Sequence, residues 1–275
     1  MTTLSISIVT YHPDMVLLSR CIESLDSALG YASTAGVISG YSLTLIDNSI
    51  DSRVRNDIAE LLDELWHQPG NKPQLVTTAS NLGYGLAHNL GIKASKMDYH
   101  LLLNPDVLFD KPALHNAIQF MKANRNVALL TPGATNNEGD REYLNKRYPG
   151  ILVLLIRGFA PQAVKRMFRK IIASYEMQEL DQDKVHYDIE LASGCFMLFR
   201  TGQLQQLGGF SEKFFLYFED YDLSMRTREY GDIAYVPDVR IVHYGGGAAR
   251  KGIRHVFLFI RSAITFFNLH GWKLK

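Results

Sequence analysis

The chain has 275 residues, with 29 Lys+Arg against 28 Asp+Glu for a formal net charge of +1, and is 47% hydrophobic and 11% aromatic. That composition excludes a disordered tail, a collagen-like repeat and a strongly basic nucleic-acid binder. Cys21 and Cys195 are too few for a disulfide framework, which points to a reducing compartment.

In chain order, a β-rich run at 4–10 ends at Thr10-Tyr11-His12-Pro13. A helix follows, with Leu17, Leu18, Cys21, Ile22 and Leu25 at helical spacing. A second strand, 42–46, ends at Asp47-Asn48-Ser49 and leads into a helix over 53–66. A third, 74–78, runs into Asn81-Leu82-Gly83-Tyr84-Gly85 and a helix near 86–94. A fourth, 100–103, runs straight into Asn104-Pro105-Asp106. Strands alternating with helices predict parallel β-α units, whose ligand groups lie just beyond the strand C-termini.

The second half is less regular. It reads as a helix over 110–124, a strand at 127–132, and a mostly helical segment, 151–172, broken by Pro161. A strand at 190–199, a short helix at 201–207 and a helix at 220–230 come next. Short strands at 234–236 and 240–243 precede a final amphipathic helix, 253–269. The N-terminus lacks a signal-peptide pattern, and no run approaches the about 18 apolar residues of a membrane span. The expectation is a soluble, cytoplasmic protein of one large domain, or one domain with an appendage. Residues 143–175 and 239–275 contain no acidic residue but many basic ones, an asymmetry that points to an anionic partner, phosphates or a membrane surface.

Four stretches carry chemistry. Asp106, delivered by an apolar strand, either closes a turn or supplies a carboxylate oxygen to a hard divalent cation. The glycines of 81–91 either close a loop or let backbone approach a ligand, and Asn89 inside a helix hints at more than scaffolding. Glu219, Asp220 and Asp222 stand at a helix start, where capping explains one carboxylate but not three behind Phe214-Phe215-Leu216-Tyr217-Phe218. Crowded carboxylates in an apolar setting raise one another's pKa, which yields a base. His243 ahead of a glycine run is either structural or a ligand to metal or phosphate, and Arg250 and Lys251 beyond it suit a diphosphate.

Taken in order, Thr10-Tyr11, Ile46-Asp47-Asn48-Ser49, Asn81-x-Gly83, Asn104-Pro105-Asp106, Ser193-Gly194-Cys195-Phe196-Met197, Phe218-Glu219-Asp220-x-Asp222-Leu223 and His243 resemble the family 2 glycosyltransferases. The similarity is strongest to the rhamnosyltransferase-like branch and covers about 5–243. It implies a GT-A fold: an α/β, Rossmann-like, mostly parallel central sheet flanked by helices, with a C-terminal acceptor-side helical region. A domain at 1–245 would divide into a nucleotide-sugar half, 1–110, and an acceptor and catalytic half, 111–245, followed by a basic amphipathic helix at 246–275.

The resemblance further implies an inverting, metal-dependent transfer, with Asp220 as base and Glu219 the runner-up. Thr10, Tyr11, Asp47, Asn48, Asn81, Gly83, Asn104, Gly194, Cys195 and Arg250 would hold the nucleotide-sugar. Asp106 and His243 would bind Mg2+ or Mn2+, with Asn104 standing where the family's first acid is expected. The implied donor is dTDP-rhamnose or a similar nucleotide sugar, and the acceptor a lipid-linked glycan of a bacterial surface polysaccharide. Peripheral membrane association is an expectation, through the basic helices with Leu154, Leu155, Phe159, Met167, Phe168 and Ile171, and Phe257, Phe259, Ile260, Phe266 and Phe267. Core packing is the alternative for the same residues. No nucleic-acid partner is expected.

Overall fold

The computed structural model describes residues 2–68, 72–245 and 252–274. β1 (Thr3–Thr10) pairs in parallel with β2 (Gly40–Asp47) and with β4 (Tyr99–Leu103), and β2 with β3 (Gln74–Thr77). The register sets Thr10 beside Asp47 and Asp47 beside Thr77, so these strand ends lie level. α1 (Met15–Thr34) starts where Asp14 accepts hydrogen bonds from the N–H groups of Val16 and Leu17. Its stripe Leu18, Cys21, Ile22, Leu25 and Leu29 is fully buried with Leu4, Ile6 and Ile8 of β1. α2 (Ser52–Leu65) and α3 (Tyr84–Ala94) complete the crossovers.

Beyond β4 the sheet is mixed. β5 (Val107–Phe109), α4 (Ala113–Ala123), β6 (Val127–Thr135) and β7 (Arg141–Glu142) precede three short helices, α5 (Ile151–Phe159), α6 (Gln162–Met167) and α7 (Arg169–Tyr175). β8 (Phe196–Arg200), α8 (Thr201–Gln206), α9 (Glu219–Thr227), β9 (Asp232–His243) and α10 (Ile253–His270) follow. The order is β3-β2-β1-β4-β8-β6-β9-β5, with β7 paired to β6. β8 is antiparallel to β4 and β6, while β9 is parallel to β6 and antiparallel to β5. The parallel units expected from alternation therefore hold for β1 to β4 and give way to mixed pairing afterwards.

Several elements differ from the sequence pattern for local reasons. The strand expected at 190–199 starts at Phe196, because Leu191 makes only an isolated bridge with Lys146 and ladder pairing begins at Phe196 against Leu103 of β4. The two short strands at 234–236 and 240–243 are one strand, interrupted by a register shift against Pro132 and Gly133 of β6. β5 and β7, of three and two residues, are too short to show a period. Lys146 is not part of a basic surface: it is 6% exposed, lies 3.9 Å from Glu176, and burial lowers its pKa to about 8 against the pull of that carboxylate.

A second apolar cluster on the other face of the sheet joins Leu102, Met197, Phe199, Leu204, Phe210 and Leu223. A third is mostly aromatic, Phe214, Phe218, Tyr175, Phe266 and Phe267 with Val153 and Leu154, and ties α10 to α5 and α9. His270 at the end of α10 lies 2.9 Å from Asp222, which also pairs with Arg226 at 2.8 Å. Asn89 proves to be scaffold: its amide donates to the Phe210 carbonyl and accepts from the Phe210 N–H, both at 2.8 Å and buried. Gly209, with φ +67, fits beside it because a Cβ there would lie 2.3 Å from the Asn89 oxygen.

Asn89→Ala leaves both Phe210 backbone groups buried and unpaired, and is expected to cost about 2–4 kcal/mol of stability. Urea unfolding measures it, and a loss under about 0.5 kcal/mol would contradict this account.

Candidate active site

The polar strand ends form a connected frame. At the level of Asp47, the Thr10 hydroxyl and the Ser49 N–H and hydroxyl all donate to Oδ1, at 3.1, 3.1 and 2.6 Å. Asn48 accepts from the Thr78 hydroxyl at 3.1 Å and donates to the Gly83 carbonyl at 3.1 Å. Thr10, Asp47 and Asn48 are almost fully buried, whereas Tyr11 is 55% exposed and open to a ligand. His12 and Ile50, which follow these two strands, both hold positive φ, 46° and 59°, a strain concentrated at the sheet edge.

Asn81 accepts from the Gly83 N–H at 2.9 Å, a local turn that sets up α3. Gly83 has φ +81, and a Cβ there would lie 2.2 Å from the Phe215 carbonyl oxygen. The glycine thus admits the 210–218 loop against the start of α3, where Tyr84 N–H donates to that same oxygen at 3.2 Å. The Tyr84 hydroxyl in turn donates to the Gly194 carbonyl at 2.6 Å.

Gly194 and Cys195 are the centre of the arrangement. The Gly194 N–H donates to Asp220 Oδ2 at 2.9 Å, and the Cys195 carbonyl accepts from the Asn104 N–H at 2.9 Å. Burial raises the Cys195 thiol pKa; a Ser193 hydrogen bond opposes this, and the charges of Glu142, Asp106 and Asp220 add to it. Tyr84 is likewise raised by burial, then by Glu219, Cys195, Asp220 and Asp106. Of the acidic groups expected from the sequence, Asp106, Glu219 and Asp220 therefore act on this segment, whereas Asp47 is bonded to Thr10 and Ser49.

Glu219 and Asp220 open α9, behind Tyr217 and Phe218 in left-handed conformations with φ 70° and 64°. Phe218 is held there by Phe259 and Phe266, at ring-centroid distances of 5.1 and 5.4 Å. Asp220 Oδ1 accepts from the Tyr221 N–H at 2.9 Å. Burial raises the pKa of Asp220, and its backbone donors restrain the rise. Burial also raises Glu219, the neighbouring Asp220 charge adds to this, and its Oε2 is buried without a partner. The third carboxylate, Asp222, belongs to the Arg226 and His270 pairing and is structural.

Opposite pairing of β5 and β9 sets Val107 against His243, which brings Asp106 beside Tyr244; the Tyr244 N–H donates to the Asp106 carbonyl at 2.9 Å. His243 Nε2 lies 3.7 Å from Asp106 Oδ1, a buried oxygen with no hydrogen-bond partner. His243 Nδ1 lies 2.8 Å from Glu142 Oε2. Burial disfavours a proton on this ring, and the Glu142 hydrogen bond with the two carboxylate charges reverses that, so its pKa is raised and the spot favours positive charge. At Gly245 a Cβ would fall 2.2 Å from His243 Nε2, so only a glycine fits against the ring in this arrangement.

No three His, Cys, Asp or Glu side chains among the described residues are arranged to hold a metal ion. Asp106 and His243 offer two ligands, and waters with diphosphate oxygens would complete the shell of a hard cation. The residues fit such an ion on that condition. Arg250 lies outside the described residues. Sequence reasoning missed Glu142, on a two-residue strand with no pattern to mark it, and the role of Tyr84, the first residue of α3 just after the Asn81-x-Gly83 turn.

Residues 43–208 match the family described as Glycosyl transferase family 2. The chain belongs to that family. Among curated proteins it is 27% identical over 217 residues to N-acetylglucosaminyl-diphospho-decaprenol L-rhamnosyltransferase of Mycobacterium tuberculosis, covering 72% of this chain and 68% of the other. It is 23% identical to Rhamnosyltransferase WbbL of Escherichia coli (strain K12), over 58% of this chain and 61% of that protein. The solved structure of GalNAc-T7 with UDP, GalNAc and Mn2+ superposes with a TM-score of 0.68 at 13% identity, over 98% of this chain and 48% of that one. At that identity the likeness is one of fold, and it agrees with a GT-A arrangement of sheet and helices.

Glu219→Gln tests the electrostatics of the acidic pair. A raised folded pKa makes the neutral acid the stabilising form, so stability is present below the ordinary carboxylate range and is lost as pH rises through the raised value. The glutamine variant, neutral throughout, is expected to outlast the wild type increasingly as thermal unfolding is followed from weakly acidic to alkaline pH. Parallel curves for the two proteins would contradict the shift.

Proposed function

We propose that the protein is an inverting glycosyltransferase that moves L-rhamnose from dTDP-rhamnose to a hydroxyl of a lipid-linked glycan, with Mg2+ or Mn2+ as cofactor. The observation that carries this reading is the position of Asp220, bonded to Gly194 while Asn104, two residues before Asp106, is bonded to Cys195. A proton acceptor and a cation-favouring pair thus flank one dipeptide.

A divalent cation held by Asp106 and His243 would offset the charge that builds on the leaving diphosphate. Asp220 takes the proton from the acceptor hydroxyl as that oxygen attacks the anomeric carbon and the bond to the diphosphate breaks, inverting the centre. The transition state resembles an oxocarbenium ion. Asp220 suits the role better than Glu219, because its two backbone donors stabilise the ionised form while Glu219 is pushed further toward the neutral acid. Gly194 leaves space where a Cβ would press on Tyr84 and Asp220 at 3.3 and 3.4 Å. Thr10, Asp47, Asn48, Asn81 and Gly83 would frame the nucleotide, with the exposed Tyr11 next to them in the chain.

Asp220→Asn should lower transfer by about 10²–10⁴-fold while leaving nucleotide-sugar binding in place. Wild-type turnover should fall as acid protonates Asp220, at a pH above the ordinary carboxylate range. Near-normal turnover in a folded Asp220→Asn protein would refute the assignment.

Rhamnose is supported by the names of the two curated relatives. A thermal-shift panel of nucleotide sugars with and without Mn2+ tests it, and selective stabilisation by a UDP-sugar would favour a hexosyl- or galactofuranosyltransferase instead. A non-catalytic nucleotide-sugar-binding subunit is disfavoured by the intact acidic pair.

A lipid-linked acceptor would place the protein at the cytoplasmic face of a membrane. No described helix is long and apolar enough to cross one. Of the apolar residues expected to face lipid, the Phe159 side chain lies outside the described residues and Phe168 is half-buried, while the others divide into two sets. Leu154, Phe266 and Phe267 are core, with Phe259 packed against them, whereas Leu155, Met167, Ile171, Phe257 and Ile260 are exposed. On α10, Ile253, Phe257, Ile260 and Ile264 form an exposed stripe at helical spacing beside the exposed Arg254 and Arg261. Flotation with anionic liposomes should recover the protein in a salt-sensitive way, and Phe257→Ser with Ile260→Ser should reduce recovery. No recovery of the wild type would remove the membrane from this reading.

A further inference from the structure

Glu142 was invisible in the sequence, yet the sheet delivers it to His243. β7 pairs with the end of β6 through Ala134 and Glu142, and β6 pairs on its other side with β9, Thr135 beside Val242. A two-residue strand at the far side of β6 therefore sends a carboxylate across to the ring that ends β9. Glu142 Oε2 meets His243 Nδ1 at 2.8 Å. Its neighbour Arg141 turns the other way, to an exposed pair with Asp183 at 2.9 Å.

A neutral imidazole carries one ring proton, and the partner of one nitrogen decides where that proton resides. With Nδ1–H donated to Glu142, the lone pair is on Nε2, the nitrogen 3.7 Å from the unpartnered Asp106 Oδ1. A Cβ at Gly245 would collide with that nitrogen, at 2.2 Å, and lie 3.2 Å from Asp106 Oδ2, so a glycine is required there for the two groups to keep these positions. Without an acceptor at Nδ1, the ring would be free to rotate and to place its proton on the nitrogen that faces Asp106.

We propose that Glu142 is a positioning residue of the cation site: by accepting the Nδ1 proton of His243 it fixes the orientation and tautomer in which Nε2 faces Asp106. This rests on the reading that Asp106 and His243 hold a divalent cation. Outer partners of this kind are worth about 10–100-fold in metal affinity.

The test titrates Mn2+ into the full chain with saturating dTDP, and separately with UDP, following free Mn2+ by electron paramagnetic resonance. Asp106→Ala and His243→Ala should abolish tight binding. Glu142→Ala should weaken it about 10–100-fold with an unchanged unfolding temperature, and its kcat should recover at saturating Mn2+. Glu142→Gln, whose amide oxygen still accepts from Nδ1–H, should lose less, and it carries the test should the alanine variant fail to fold. Wild-type Mn2+ affinity in folded Glu142 variants, beside a loss in Asp106→Ala, overturns the role of Glu142 and leaves the cation site standing. A loss as complete as that of Asp106→Ala makes Glu142 a direct ligand and also overturns it. Absence of Mn2+ binding by the wild type with either nucleotide overturns both.

Discussion

The peptide groups of Gly194 and Cys195 are the constraint on which the site depends. Their N–H and C=O groups bind Asp220, Tyr84 and Asn104, three residues that arrive from α9, α3 and the end of β4. Backbone groups are strong and obligatory partners, so a crossing of this kind anchors the Tyr84 and Asp220 side chains and the Asn104 backbone to one piece of main chain. Asp220 is tied to this dipeptide directly, and the loop that carries Asp106 is tied to it two residues earlier, at Asn104. A Cβ at residue 194 would lie 3.3 Å from Tyr84 and 3.4 Å from Asp220, a tight contact with both partners of the dipeptide.

The aromatic cluster supplies the second requirement. Phe214, Phe218, Phe259 and Phe266 wall off the start of α9, and the left-handed backbone at Tyr217 and Phe218 is held by that packing. Removing water from Glu219 and Asp220 raises both pKa values, so the same packing that dictates the backbone also sets the chemistry. α10 is part of this wall: Phe266 and Phe267 bury one face and His270 pairs with Asp222. Its other face remains apolar and exposed, which is why a single helix serves both core and surface.

The strand ends were legible because period and turn chemistry mark them. Thr10, Asp47 and Asp106 each follow a short apolar run, and the β-α alternation of the first hundred residues places such ends on one edge. The acidic residues of 219–222 were legible as a group but not in their roles. Asp222 lies at i+4 spacing to Arg226 on one helix, yet its pairing with His270 comes from 48 residues away. Asn89 looked functional because it costs helix propensity, but its partner is a backbone 121 residues distant. Lys146 looked like surface charge until its burial beside Glu176 was seen.

By itself, the sequence determined the parallel β-α half and which residue types stand where strands end, since these rest on short-range periodicity and local turn propensity, while the ordered motifs carried the resemblance to the family. Only the tertiary structure decided the antiparallel insertion of β8, the pairing that carries Glu142 to His243, and which apolar residues of the basic helices are core. Those outcomes depend on which segments become neighbours across a sheet, and on how much water they exclude there. Neither is written in the spacing of residues along one strand or helix.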